Sequence, residues 1–544
     1  MSGSTTPDGA ATVAGTAPPR AAGGRNLLRS TGIVMLVRGL DFGLSFLVSV
    51  LLANRFGASG QLDAFFLARR TTVGFADTIR KLVGQIVLPP VLAAVDRGEA
   101  PSIHHLPRRM GWFLACFTLV MLAGLFAPTL WAQLFAPGFR GEQQALTAGM
   151  MRIMLPLLPL AVVASLLAAV LQARRRYLLS EGTNLVQRAL LVLVLALFVP
   201  PLGIVAGAWT MLAAGVVGFL ILLAGARSIV RPTRRPADRQ PTVASPQTKG
   251  GGMAAAIVIN VYFQASALLD FAFATIGGEG NVASLEYGSR LVSLVPGLVM
   301  SSLATVLTPE LIRAVQQSDR AAAAAGIQRF QRIGVFAQMP VSVGMMLGAP
   351  LMVSALFGHG AFGPQAIATA AACTAGYAAA AIFLAPMSAI TTSIYADPHA
   401  PALRDLTVIA IVGTILRVAV LAVAAPIWGA PGIAWGAAIA TALTCAVAQI
   451  VAVRRFHHFT HRAQLIDFAQ TAACALIATG AGALLLRLVP DTPKLFGELA
   501  LLAALGALIV VVYAAAAALL RVPEMAALRD VAAKLLARRR ARRA

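Results

Sequence analysis

The amino-acid sequence predicts an all-α polytopic membrane protein of about fourteen transmembrane helices, built as two six-helix repeats (an N-lobe and a C-lobe) followed by two further helices. Three observations lead there. Hydrophobic residues make up 58% of the 544 and charged residues only 12%, with a mean hydropathy of +0.79, whereas a soluble chain carries about 25% charge. The apolar residues fall into runs of about 20, the length that crosses a ~30 Å hydrocarbon core as helix, and a helix satisfies its own backbone in lipid. The alternating ten-residue segments of a barrel are missing from the sequence. Finally, the chain repeats itself. The stretch RFGASGQLDAFFLARR, continuing to QIVLPPVLAAV, returns as TIGGEGNVASLEYGSR, continuing to TVLTPELIRAV, 220 residues later without a gap. At that offset Gly57 meets Gly277, Gly60 meets Gly280, Arg70 meets Arg290 and Pro89 meets Pro309. LFAPGF at Leu134–Phe139 is echoed by LFGHGAF at Leu356–Phe362.

The organisation follows from these runs. Residues 1–29, rich in Gly, Ala, Pro and Thr, read as a disordered cytoplasmic leader without the apolar core of a signal peptide. Residues 30–226 hold six spans (31–53, 64–92, 110–133, 146–171, 183–202 and 204–226) and form the N-lobe. Residues 227–252, polar and Pro-rich, are a cytoplasmic linker. Residues 253–455 hold the next six (253–276, 285–312, 333–357, 364–394, 405–425 and 431–453) and form the C-lobe. Residues 456–520 add spans thirteen and fourteen, and 521–544 are a basic cytoplasmic tail.

Net charge is +23, but its placement argues against a nucleic-acid partner. With the N-terminus inside, 31 of the 44 Lys and Arg fall in cytoplasmic segments and 4 in external loops. This is the asymmetry of a multi-pass membrane protein with both termini in the cytoplasm. The basic loops and Arg538–Arg543 are expected to touch anionic lipid headgroups. Cys116, Cys373, Cys445 and Cys474 all lie in apolar runs and read as core residues.

Taken in order, the spans carry a few expensive polar groups. Span one holds Arg38 and Asp41, three apart on one face, which reads either as an ion pair or as cavity lining. Span two carries Gly74, Asp77, Arg80 and Lys81 in its middle, too polar for lipid, and is expected to line an aqueous cavity and to bend near Gly74 or Gly84. Arg152, near the external end of span four, has interfacial snorkelling as its bland alternative, and Arg188 in span five reads as an interfacial anchor. Span seven carries Gln264 and, near its middle, Asp270, whose cost must be offset by a cation, an ion or a proton. Span eight opens with Glu286 and Arg290, spaced to pair along the helix. Pro386 is positioned to break span ten, and Arg417 is the one cation inside span eleven. His457, His458 and His461 read as an interfacial basic loop.

The sequence has no phosphate-binding loop, dinucleotide fingerprint or zinc-protease helix, so a transporter is expected, not an enzyme. Arg38, Arg70, Arg80, Lys81 and Arg290 are the candidate substrate-binding residues, with Arg152 and Arg417 as outlying cations. Asp41, Asp270 and Gln264 are candidates for ion coupling. No metal site or cofactor is expected, and the residues leave membrane potential, Na+ and H+ open as the energy source. Guanidinium groups clasp phosphate through forked, charge-assisted bonds, so a basic cavity suits an anionic amphiphile better than a cationic drug.

LANRFGASGQLDAFFLA resembles the first external loop of the lipid II flippases (MurJ, also called MviN) of the MATE/polysaccharide-exporter (MOP) superfamily. The resemblance continues through LTAGMMRIMLPLLPL, AAVLQARRRYLL, Gln264 to Asp270, YGSRLVSLVPGLVMSSLATVLTPEL and LFGHGAF, covering roughly residues 30–455. It implies two lobes around a central cationic cavity, a groove for the polyprenyl tail formed by the last two helices, and flipping of a polyprenyl-pyrophosphate-linked glycan, most simply lipid II, as a step in peptidoglycan synthesis. The family's cavity arginines carry over without a gap to Arg290. Arg38 matches with a turn inserted after it, and Arg80-Lys81 with four residues deleted after them. Two departures stand out: the family's second first-span arginine is replaced by an apolar residue near Val48, and its second-span glutamate by Gln85. The other readings are export of a different exopolysaccharide precursor, a non-transporting scaffold for envelope-synthesis enzymes, and a MATE-type antiporter.

Overall fold

The structure, a computed structural model, describes residues 22–96, 108–174, 176–197, 203–227, 250–317, 320–398, 400–456, 461–489 and 495–525. Residues 1–21, nearly all of the linker, His457, His458 and the Arg538–Arg543 cluster lie outside them, and residues 22–29, expected as the end of a disordered leader, are helical. Among the described residues the regular elements are all helical: α1 (Ala22–Phe56), α2 (Gly60–Ile86), α3 (Leu88–Asp96), α4 (Arg108–Phe126), α5 (Pro128–Phe135), α6 (Gly141–Met154), α7 (Leu157–Ala173), α8 (Tyr177–Leu197), α9 (Val205–Arg227), α10 (Gly250–Ala274), α11 (Asn281–Gln316), α12 (Arg320–Phe357), α13 (Pro364–Ala381), α14 (Leu384–Ala396), α15 (Ala402–Arg455), α16 (His461–Leu488) and α17 (Leu495–Leu519). Eleven are long and apolar enough to cross a membrane, or thirteen when each of two bent pairs counts as one span.

Proline sets both bends. The second span breaks at Val87, between α2 and α3, by 40°, and not at Gly74 or Gly84. Pro89 and Pro90 follow at once, and their rings clash with the carbonyls four residues back while offering no N–H. Gly74 has another use: a Cβ there would lie 2.4 Å from Gln264 Nε2, so it lets α2 approach α10. The tenth span bends by 42° between α13 and α14, at the residues one turn ahead of Pro386, as its missing N–H requires. The 54 residues of α15 are two antiparallel arms. Gly429, at φ 60° and ψ −140°, turns the chain back, so that Arg417 reaches Thr441 at 3.5 Å and Arg455 reaches Asp405 at 2.5 Å. The eleventh and twelfth spans are these arms.

The two lobes meet along α2, which packs on α10 and α11. At one end of the molecule the repeated turns interlock. Ala361 N donates to Asn54 O at 2.9 Å, and Gly138 N donates to Thr275 Oγ1 at 2.9 Å. The two echoed motifs thus make equivalent contacts, each docking on the opposite lobe's Gly-rich turn. Backbone fits against backbone: a Cβ on Gly138 would sit 2.2 Å from Thr275 O, and one on Gly360 2.3 Å from Asn54 O.

Asp63, fully buried, completes this seal. Its carboxylate accepts from Gly280 N at 2.6 Å and Ala283 N at 2.7 Å, satisfying the unpaired first turn of α11 from the other lobe. Ala283 is its own counterpart at the 220-residue offset. Beneath it lies the main apolar core, where Tyr287 meets Phe66 and Phe362 edge-to-face at 5.5 and 5.2 Å and Phe357 at a tilt at 4.8 Å. The last two helices, α16 and α17, pack on α12 through Val335, Met339, Cys474, Leu505, Ile509 and Tyr513.

Candidate functional site

Below the sealed end, α1, α2, α7, α8 and α9 surround a cavity of about 190 Å³ to which the C-lobe contributes Arg290. Its wall carries Arg69, Asp77, Arg80, Arg188 and Arg290 among apolar residues, Val48 included. A smaller chamber of about 80 Å³ shares Arg69, Val73, Asp77 and Arg290 with it and adds Arg70 and Glu286. These charges reach one place because α2 lines both cavities and presents successive turns to them, while α11 enters opposite with Arg290 one turn beyond Glu286.

The charges do not pair as their spacing in sequence suggests. Glu286, almost fully buried, turns from Arg290 across the lobe interface. Its carboxylate lies 3.3 Å from Arg69 Nη1 and 3.8 Å from Arg70 Nη1. Arg70 also lies over the Phe271 ring at 4.9 Å, a cation–π contact. Arg290 is left to donate to the carbonyl oxygen of Ser45 at 3.4 Å and to its hydroxyl. Arg69 Nε and Arg70 Nε have no hydrogen-bond partner among the described residues. Buried guanidinium N–H groups without acceptors are costly in a low-dielectric site, and they favour an anion.

The other expected residues divide. Arg80 lines the larger cavity but is half-exposed and paired with Asp77 at 3.2 Å. Lys81 is exposed and does not line it. Arg38 lies outside the residues whose side chains are described. Arg152 is exposed and stands clear of both cavities. Two contributors escaped the sequence reading. Arg69 was hidden beside Arg70, the residue the repeat singles out. Arg188, read as an anchor, instead pairs with Asp41 at 2.5 Å inside the cavity wall. Gln85, in place of the family's glutamate, accepts from Asn260 Nδ2 at 3.1 Å and ties α2 to α10.

Asp41, Asp270 and Gln264 do not come together as an ion site. Asp41 has Arg188, and Gln264 accepts from Thr78 Oγ1 at 3.4 Å. Asp270 is clasped by Arg417, whose Nε and Nη2 donate to its two oxygens at 2.8 and 2.6 Å, with Tyr377 donating at 3.3 Å. Arg417 is therefore the counter-charge of Asp270 and no part of the cavity. Breaking a buried pair strands the remaining charge at about 3–5 kcal/mol. Asp270→Ala and Arg417→Ala should each sharply reduce the monodisperse yield from membranes, and Asp270→Asn/Arg417→Met should recover most of it. Transport per folded molecule should stay near the parent's; a collapse there would return Asp270 to ion coupling.

Comparison with known proteins agrees with this architecture. The family profile described as lipid II flippase MurJ matches residues 52–502. The chain is 24% identical over 397 residues to the lipid II flippase MurJ of Burkholderia cenocepacia, covering 68% of this chain and 73% of that one. Its fold is similar to a solved lipid II flippase MurJ in an inward closed conformation, with TM-score 0.67, 17% identity, and coverage of 88% of this chain and 97% of that one. It is also similar to an inward-facing multidrug resistance MATE family transporter of the MOP superfamily, with TM-score 0.59, 14% identity, and coverage of 77% and 94%.

Proposed function

Because the chain belongs to the lipid II flippase MurJ family, and is on that ground a transporter and not an enzyme, we propose that it flips a polyprenyl-pyrophosphate-linked glycan, lipid II first, across the cytoplasmic membrane. The pyrophosphate is held by Arg69, Arg70 and Arg290, and the two lobes alternate access to it. The observation that carries this reading is the 80 Å³ chamber, where guanidinium groups of both lobes face one space with Arg69 Nε and Arg70 Nε unmet. A phosphate there would be bound by both lobes at once, which is what couples cargo to lobe movement. The sealed turns face outward in this reading and the cavities belong to an inward-open state.

A strain depleted of its own lipid II flippase tests the cargo: expression of this chain should restore growth and lower the accumulated lipid-linked precursor. Failure to do so, with the protein correctly inserted, would move the assignment to another lipid-linked glycan, a choice that Val48 in the cavity wall also favours.

Orientation has a separate test. Cysteines replacing the exposed Glu142 and Gln365, beside the sealed turns, should react with an impermeant thiol reagent added outside. Cysteines replacing Arg109 and Gln317 should be protected. The opposite pattern would invert the topology.

A further inference from the structure

Away from the cavities, at the end of the C-lobe where the two arms of α15 begin and finish, a pocket of about 450 Å³ is lined by Arg320, Arg404, Arg454 and Arg455, with Asp405, Pro401 and two valines among the rest. The four arginines do different things. Arg455 is spent inside the protein: its Nε donates to Asp397 at 3.0 Å, Nη1 to Asp405 at 2.5 Å and Pro401 O at 3.3 Å, and Nη2 to Ala400 O at 2.8 Å and Ile394 O at 3.3 Å. That knot uses both nearby carboxylates and builds the pocket floor. Arg320, Arg404 and Arg454 are exposed on the rim and have no ion-pair partner among the described residues. Pro401, the N-cap of α15, supplies no side-chain hydrogen bond, so the positive end of that helix faces the rim without a side-chain cap.

Arg455 and its two carboxylates carry one net negative charge, so the three rim guanidinium groups leave the concavity at +2, and beside a helix N-terminus without a side-chain cap they form a site for a phosphate. The walls narrow the choice of ligand. Val408 and Val451 line the same pocket from the two arms. Val408 also begins an exposed stripe on α15, continuing through Ile411, Ile415 and Val418 at 42, 55, 61 and 37% exposure, the spacing of one helix face. A free anion has no use for such a stripe, but an acyl chain does. We propose that this pocket binds the phosphate headgroup of an anionic phospholipid, with its acyl chains along the Val408–Val418 face of α15. The site does not depend on what the central cavity carries.

The test uses the purified full-length chain, stripped of lipid and titrated with phosphatidylglycerol, bound lipid being counted by native mass spectrometry. In Arg320→Gln/Arg404→Gln/Arg454→Gln the tightest binding step should weaken by about tenfold or more, since each basic side chain near a headgroup contributes separately. The single variants should each weaken it severalfold, which keeps the question answerable should the triple variant aggregate. A control triple variant, Arg108→Gln/Arg109→Gln/Arg227→Gln, removes exposed N-lobe arginines that line none of these pockets and should leave that step unchanged. Phosphatidylcholine should show no such step, and millimolar inorganic phosphate should not displace the lipid. Equal weakening by both triple variants would reduce the effect to diffuse surface charge and overturn the site. Displacement by inorganic phosphate would overturn the lipid in favour of a free anion.

Discussion

Replacing Arg290 by alanine is expected to abolish flipping, and replacing it by lysine to leave a weak remainder, with both proteins inserted and folded as the parent. Arg290 is the one side chain that reaches both cavities from the C-lobe, and Ser45 is its hydrogen-bond partner, so its loss disturbs little packing. Two charge-assisted hydrogen bonds to phosphate contribute about 1.5–3 kcal/mol each, so alanine should cost roughly two to four orders of magnitude in flipping rate. Lysine restores the charge but not the fork. Glu286→Gln/Arg290→Gln separates cargo binding from internal charge balance. It leaves the local net charge unaltered, so a role for Arg290 confined to charge balance would be rescued, whereas a pyrophosphate ligand would not; Glu286→Gln alone, which takes from Arg69 and Arg70 the carboxylate they share, is the control for the second substitution. The readout is accumulation of lipid-linked precursor in cells that depend on the variant, and full activity of the double variant would end the assignment.

Asp63→Ala should have an effect of similar size by a different route. It leaves Gly280 N–H and Ala283 N–H without acceptors at the sealed end, each orphan costing about 1–3 kcal/mol, and so favours separation of the turns. Together the two orphans should shift the equilibrium between sealed and open states by roughly one and a half to four orders of magnitude. Asn is expected to rescue poorly, since its amide directs a donor at one of the two donors it must satisfy. Spin labels at Glu142 and Gln365, one on each lobe, would read the shift as a longer distance distribution. An unchanged distribution in Asp63→Ala would show that the interlocked backbones hold the end closed by themselves.

Legibility in the sequence followed the range of the interactions. Span positions, the duplication and the break before Pro386 depend on local composition and local sterics and are readable, whereas the bend of span two is expected near Gly74 or Gly84 although Pro89 and Pro90 set it at Val87. So was Arg290, because the repeat marks it. What failed was partner choice. The four-residue spacing of Glu286 and Arg290 says that they share a face of α11, but not that α2 arrives with Arg69 and Arg70 on that face. Asp41 has Arg38 three residues away on its own helix, which leaves an ion pair and cavity lining both open in the sequence, yet its partner Arg188 comes from α8. Nothing local marks Asp63 as a cap, because the N–H groups that need it lie 217 and 220 residues away. Lys81 follows Arg80 in sequence but points, by helical rotation, away from the cavity that Arg80 lines.

The contact between Asp63 and its own repeat counterpart also says something about ancestry. A homodimer of first halves would bring two carboxylates to one symmetry axis, and a homodimer of second halves would bring none, because Ala283 stands at that place. Neither half could make the present latch with a copy of itself. The latch as it stands therefore suits two halves that differ at this position, and a chain built by doubling either lobe would carry two carboxylates or none where the present one carries a single Asp63.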